Sequence, residues 1–349
     1  MKMKKVLAML LAAVMAASMA ACTGTAPAAT EAPAATAAAT EAVTEAPAAD
    51  TEAAKTYTVG ICQLVQHPAL DAATEGFKAA LTEALGDAVT FSEQNASGES
   101  TNCATIINGF VSSNVDLILA NATSPLQAAV SATSTIPVLG TSITDYASAL
   151  EIDNWTGTVG TNVSGTSDLA PLDQQAAMLQ ELFPDAKTVG LLYCSAESNS
   201  KYQVDVIRGY LEAAGITCTD YAFTDTNDVA SVAQKAADDS DVIYIPTDNT
   251  AASNTEAIAN VVIPAKTPVI AGEEGICKGC GVATLSISYY DLGYATGKMA
   301  VKILTGEATS AWRTNSSGSR TCGRRASSSA AAPDSPSGRC RKRRPSSSP

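Results

Sequence analysis

The chain has 349 residues, 16 % of them charged, a formal net charge of −13 and a single histidine. That length accommodates two α/β lobes of ordinary size, while one histidine leaves little material for His-based metal clusters or a Ser-His-Asp relay. The charge is unevenly spread: Arg208 is the only arginine before residue 311, and the body that precedes that point is strongly acidic, giving no electrostatic attraction for nucleic acid.

Lys2, Lys4 and Lys5 open the chain and are followed by an apolar run over residues 6–15. The run is too short for a bilayer span, which needs roughly 20 residues, and has the build of a signal peptide. It ends in Met19-Ala20-Ala21-Cys22, which resembles a lipobox with Met where Leu is usual. Residues 1–22 are therefore read as a lipoprotein signal peptide with lipidated Cys22; an ordinary secretory peptide with an incidental cysteine is the alternative. Two or more acyl chains would give stable anchoring. Residues 23–55, built from Ala, Thr, Pro and Glu with a repeated Thr-Glu-Ala-Pro-Ala-Ala at Thr30 and Thr44, lack the apolar side chains to offset ordering entropy and read as a disordered linker.

From residue 56 on, strand-length apolar runs alternate with helix-period stretches, the pattern of parallel sheets with crossover helices. Strands are expected at 57–62, 88–91, 115–120 and 136–140. A helix after His67-Pro68 puts Leu70, Ala73, Phe77, Leu81 and Leu85 on one stripe; others run over 100–111 and from Ser124-Pro125, with Pro suited to a first turn. The second half repeats the order. Thr58-Val59-Gly60-Ile61 returns as Thr188-Val189-Gly190-Leu191, Asp116-Leu117-Ile118-Leu119 as Asp241-Val242-Ile243-Tyr244, and Pro137-Val138-Leu139 as Pro268-Val269-Ile270. The expected fold class is therefore α/β, with two similar doubly wound parallel-sheet lobes and a ligand cleft between them. One lobe takes residues 56–160 plus 288–306 and the other 161–287, joined near 159–168 and again near 285.

In such sheets ligands collect beyond the carboxyl ends of the strands. The loops there are polar: Gln63 to Asp71 with His67, Gln94-Asn95, Thr123-Ser124, Tyr193 to Asn199 with Glu197, Asp248-Asn249, and Glu273-Glu274. Each could simply cap the next helix; their joint placement in both halves favours a cleft. His67-Pro68-Ala69-Leu70-Asp71, Gln94-Asn95-Ala96, Ala122-Thr123-Ser124-Pro125, Asn162-Val163-Ser164-Gly165, Pro184-Asp185-Ala186-Lys187, Pro246-Thr247-Asp248-Asn249-Thr250 and Tyr289-Tyr290-Asp291-Leu292-Gly293 occur in that order. Together they resemble the ABC transporter substrate-binding proteins of the tryptophan/tyrosine-binding (TrpX-like) group, over residues 56–306. The resemblance departs at Thr144-Asp145-Tyr146, where many members have proline after the aspartate.

The resemblance implies a type I periplasmic-binding fold. It also implies an extracytoplasmic, membrane-tethered monomer that delivers a small solute, an amino acid or related compound with aromatic ones among the candidates, to an ABC permease and ATPase. No cofactor, metal or nucleic acid is expected. The ligand candidates are Gln63, His67, Asn95, Thr123, Ser124, Tyr193, Glu197, Asn199, Asp248, Asn249, Glu273 and Tyr290. The helix N-terminus at Thr123-Ser124 offers N–H groups and hydroxyls to a carboxylate. Asp248 is the first choice for the ammonium, with Glu197 or Glu273 behind it. Tyr193 and Tyr290 are the aromatic surfaces, and Trp155 is open between packing and contact. A ligand-binding sensor lipoprotein and, less favoured, an enzyme on the same fold are the alternatives.

Two features stand outside this reading. Of nine cysteines, Cys277 and Cys280 form the only close pair, open to a local disulfide or free thiols, with zinc or redox roles less favoured; Cys62, Cys103, Cys194 and Cys218 read as buried small residues. Residues 307–349 are read as an aberrant basic tail, and the last 39 of the chain hold eight arginines and Lys342 against Asp334, in a Ser-, Gly- and Pro-rich setting. A reading-frame change near Ala308 explains this abrupt shift; a genuine basic tail is the alternative.

Overall fold

The structure is a computed structural model that describes residues 55–307. The signal peptide with Cys22, nearly all of the linker and the basic tail lie outside the described residues. Among the described residues no helix is long and apolar enough to cross a membrane.

The first half lays down β1 (Tyr57–Gln63), α1 (Pro68–Leu85), β2 (Val89–Asn95), α2 (Ser100–Ser112), β3 (Leu117–Asn121), α3 (Thr123–Ala132), β4 (Val138–Ile143), α4 (Tyr146–Ala149) and β5 (Val163–Ser167). The second gives α5 (Leu172–Leu182), β6 (Thr188–Cys194), α6 (Ser198–Ala213), β7 (Thr217–Phe223), α7 (Val229–Asp239), β8 (Val242–Ile245), α8 (Asn249–Ser253), α9 (Thr255–Ala265), β9 (Val269–Ala271), α10 (Glu274–Cys280), β10 (Ala283–Thr284) and α11 (Tyr289–Leu304). The strands form two five-stranded sheets, ordered β2-β1-β3-β4-β5 and β10-β9-β8-β6-β7, with every pair parallel. Read from β7, the second order reproduces the first, so the two lobes share one topology. This is the expected α/β, type I periplasmic-binding architecture.

The sequence echoes fall on equivalent positions. Asp116 Oδ2 accepts the Thr58 N–H at 2.7 Å, tying the start of β3 to β1. Asp241 Oδ2 accepts the Thr188 N–H at 2.9 Å and so ties β8 to β6. Central strands are buried on both faces, which is why β3 and β8 read as unbroken apolar runs. The strand expected at 88–91 runs on to Asn95, because β2 is an edge strand whose later residues Glu93, Gln94 and Asn95 are exposed and carry no hydrophobic signal.

The lobe limit expected at residue 160 falls ahead of β5, which pairs with β4 in the first sheet; the chain crosses to the second lobe at 168–171. Its return places α11 along α1 with backbones almost touching. A Cβ on Gly76 would strike the Tyr290 carbonyl, and one on Gly293 the Ala73 carbonyl. The glycines at 293 and 297 thus serve helix packing.

Candidate functional site

The site lies between the lobes, at the carboxyl ends of the strands. His67 precedes α1, whose N-terminus has Pro68 in its first turn and no side-chain cap. In the second lobe, Asp248 and Glu273 likewise stand directly ahead of helices, α8 and α10. Asp248 accepts from Cys194 N at 2.6 Å and Ala251 N at 2.7 Å; Glu273 accepts from Gly275 N at 2.6 Å and from Ile276 N. Glu197 gathers Asn249 and Thr250, taking the Asn249 N–H at 3.0 Å, the Asn249 side-chain amide at 2.7 Å and the Thr250 N–H at 2.8 Å.

This last cluster orients a bridge between the lobes. With its Nδ2 held by Glu197, Asn249 turns Oδ1 toward His67 Nε2 at 3.2 Å. The bridge requires a proton on His67 Nε2, which leaves Nδ1 as a bare lone pair. Burial holds the imidazole below its ordinary pKa, so it is neutral, and Nδ1 is buried without a partner. A second cross-lobe contact joins Gln203 Nε2 to Thr144 Oγ1 at 3.5 Å.

The remaining wall comes from the ends of β4 and β5. Pairing of these strands shifts register between Gly140 and Ile143, where Ser142 takes φ of 56°. Tyr146 steadies the distortion by donating to Gly140 O at 3.1 Å and Thr166 O at 3.2 Å. Such irregularities re-aim side chains beside functional sites, and Ser142 Oγ is buried unpaired. Just beyond β5, Asp168 accepts from the Tyr289 hydroxyl at 2.8 Å through Oδ2, while Oδ1 is buried with no partner. The two residues stand on the two chain crossings, so the carboxylate sits at the hinge.

His67, Leu70, Ser142, Thr144, Asp168, Asn199, Thr247, Asp248, Asn249, Ala252, Glu273 and Tyr289 enclose one narrow space, about 10 Å³ for the centre of a water-sized sphere. Three carboxylates and no lysine or arginine line it. Burial raises the pKa of Asp168 and of Glu273, and burial with the neighbouring Glu197 charge pushes Asp248 up to about 8. A desolvated acidic pocket of this kind favours a positively charged guest. Among the described residues no group of three His, Cys, Asp or Glu could hold a metal ion.

Of the residues nominated from the sequence, His67, Asn199, Asp248, Asn249 and Glu273 line this space. Glu197 stands behind it as the clamp on α8. Gln63 holds the loop from below, donating to Val65 O at 2.9 Å and Asp71 at 2.7 Å. The other nominees sit elsewhere. Asn95 is exposed and accepts from Ser97 N at 2.7 Å. Thr123 and Ser124 open α3 away from the lining, and Tyr193 is packed in the second-lobe core. Tyr290 is exposed on α11, stacked with Tyr294; Trp155 packs against the first-lobe core. Ser142, Thr144, Asp168, Thr247 and Tyr289 were not among the residues expected from the sequence. The loop after the fourth strand was the readable signal, since it occupies the same sheet edge as the other polar loops.

Residues 58–321 match the sequence profile of the ABC transporter substrate binding protein family, past the residue 306 at which the resemblance was expected to end. The chain is 35 % identical over 261 residues to the tyrosine-binding protein of Clostridioides difficile strain R20291, covering 74 % of this chain and 75 % of that one. Among solved structures, an ABC domain in complex with L-Trp from Streptococcus pneumonia has 34 % identity and a TM-score of 0.71, over 76 % of this chain and 90 % of the other. The ligand-free, open structure of a Clostridium difficile substrate binding protein with adhesive properties has 38 % identity and a TM-score of 0.57, over 75 % and 90 %. Substrate-binding proteins of this kind take up a small ligand outside the cytoplasm and work with an ABC permease and ATPase. This chain belongs to the ABC transporter substrate binding protein family.

Proposed function

We propose that the ligand is a free amino acid with an aromatic side chain, and that Asp168 receives its ammonium group. The observation that carries this reading is the Asp168 carboxylate, buried at the hinge with Oδ1 unpaired in a pocket lined by three carboxylates and no lysine or arginine. An ammonium would complete it with charge-assisted hydrogen bonds, and His67 Nδ1 is a second acceptor. Ser142 Oγ and the uncapped N-terminus of α1 would take the carboxylate, a favourable place for negative charge. Leu70, Ala252 and Tyr289 supply the apolar wall. Asp248, the first choice on sequence grounds, has both oxygens engaged by backbone N–H groups and acts as a cap. A tyrosine-binding relative and a relative in complex with L-Trp support the aromatic class.

An amino acid is larger than the present space, so the lobes part to admit it and close again across the His67–Asn249 bridge. Global overlap is greater with the L-Trp complex than with the open structure, although identity is lower, which supports a closed arrangement here. Closure around a bound solute is the signal that a permease can read. The protein is further read as a non-enzymatic monomer, tethered through Cys22 and without nucleic-acid partners.

A thermal-shift screen of the full chain against the common amino acids, sugars and nucleosides tests the ligand class. Tyrosine or tryptophan should raise the melting temperature; stabilisation by sugars or nucleosides alone would overturn the reading.

A further inference from the structure

The buried stripe of α6 changes character along its length. Val204, Ile207 and Leu211 are apolar and pack into a second-lobe core cluster. Asn199, Ser200 and Gln203, at the end nearest the pocket, are polar and also buried. A buried primary amide is tolerated when its donors and acceptor are engaged, and Gln203 engages its own on the loop between β8 and α8. Its Oε1 accepts the Thr247 N–H at 3.2 Å, and its Nε2 donates to Thr247 Oγ1 at 2.6 Å and to Asn199 O at 3.1 Å. Asn199, one turn earlier, donates through Nδ2 to Thr247 O at 3.1 Å. All three polar atoms of Thr247 are therefore held by α6.

The orientation of the Gln203 amide follows from these partners. A backbone N–H can only donate, so the amide oxygen must face the Thr247 N–H and the amide nitrogen must face the hydroxyls. The same Nε2 lies 3.5 Å from Thr144 Oγ1, just past β4 in the other lobe. Thr144 and Thr247 both line the pocket. Acceptors in the second lobe already serve both Nε2 protons, so the amide is satisfied before the first lobe arrives. Thr144 is then a third, longer contact that exists only when the cleft is closed.

We propose that Gln203 is a positioning residue for ligand capture, an inference that rests on reading this pocket as an amino-acid site. Its single amide fixes Thr247 in the second-lobe wall and gives Thr144 of the first lobe a prepared docking point on closure. A wall set in advance spares the ordering that binding would otherwise have to supply. Gln203 acts through the two threonines and lies outside the pocket lining itself.

The test uses Gln203→Met, which keeps the length of the side chain and removes the amide, with Thr144→Val and the double variant, all in the full chain. Hydrogen exchange of the ligand-free proteins reads the wall: the Thr247 N–H should exchange about 10-fold faster in Gln203→Met and at the wild-type rate in Thr144→Val. Calorimetric titration with L-tyrosine reads closure. Gln203→Met should bind about 10-fold more weakly and Thr144→Val about 3-fold, the scale of one net hydrogen bond or less. Adding Thr144→Val to Gln203→Met should cause no further loss, because both act through one contact; a purely structural role for Gln203 predicts losses that multiply. Unchanged Thr247 exchange, unchanged affinity in Gln203→Met, or multiplying losses would each overturn the proposal. If L-tyrosine does not bind the wild-type protein, the amino-acid reading has failed, and the role of Gln203 stands or falls on the exchange of Thr247. Should Gln203→Met not fold, Thr144→Val decides: weaker L-tyrosine binding at an unchanged melting temperature of the free protein is expected, and unchanged affinity overturns the proposal.

Discussion

His67 Nε2 lies 3.2 Å from Asn249 Oδ1, a hydrogen bond from the residue that opens α1 in one lobe to the first residue of α8 in the other. Its direction is set by a third residue, Glu197, which holds the amide of Asn249. The bridge is thereby built from an imidazole that burial keeps below its ordinary pKa and a primary amide.

Replacing His67 by Ala removes this bridge and the Nδ1 acceptor. One net hydrogen bond is worth about 1 kcal/mol, so ligand affinity should fall about 5- to 10-fold. Calorimetric titration measures it. Small-angle scattering should also show a more open average form. Unchanged affinity would mean that the bridge does not contribute to closure.

Asp168→Asn keeps the shape of the hinge carboxylate and removes its charge. Affinity for amino acids should drop on the order of 100-fold, the scale of a buried charge-assisted pair, while the free protein loses little stability because a buried carboxylate with no counter-charge is itself costly. The wild-type pH dependence follows. Burial raises the Asp168 pKa above the ordinary carboxylate range and an ammonium favours its ionised form, so binding should strengthen as pH rises, with proton release, and the Asn variant should lose that release. Titration in buffers of different ionisation enthalpy reads both.

Asp248 gives a stability signature of known sign. Its pKa lies at about 8 in the folded chain against an ordinary value of 3.8, so the folded state holds a proton that the unfolded state releases over this interval. Its stabilising contribution is complete below pH 4 and is lost as pH rises through 8. Urea unfolding at pH 5, 6.5 and 8.5 should show this decline, with a flatter profile in Asp248→Asn, which can still cap α8. Stability that rises across the window, or an Asn variant with the same slope, would contradict the assignment.

Gly293→Ala places a methyl against the Ala73 carbonyl where α11 crosses α1. Both partners are backbone, so neither can swing aside. The cost should reach about 3 kcal/mol, the upper part of the overpacking range, and chemical denaturation would detect it. Ala at Gly209, an open α6 position, is the control and should be neutral or slightly stabilising.

The repeated architecture was legible because the same physical demand recurs in both lobes. Asp116 and Asp241 must each receive an N–H from the neighbouring strand, and a buried central strand must follow each. The cleft was half legible. His67, Asn199, Asp248, Asn249 and Glu273 announce themselves as polar residues opening helices, but a residue that caps a helix and one that binds a ligand look alike in sequence. Which carboxylate is left with a free oxygen depends on contacts between distant segments. Asp168 is distinguished from Asp248 only by the β4–β5 register shift and by Tyr289 arriving from 121 positions away, and neither leaves a local pattern.

The central claim is that this pocket reads an ammonium group through Asp168. The direct measurement is calorimetric comparison of L-tyrosine with its deaminated analogue, 3-(4-hydroxyphenyl)propionate, on the wild-type protein. Asp168 predicts that L-tyrosine binds and that the analogue, which keeps the ring and the carboxylate, binds about 100-fold more weakly or not at all. Equal affinity for the two, or preference for the analogue, would contradict it.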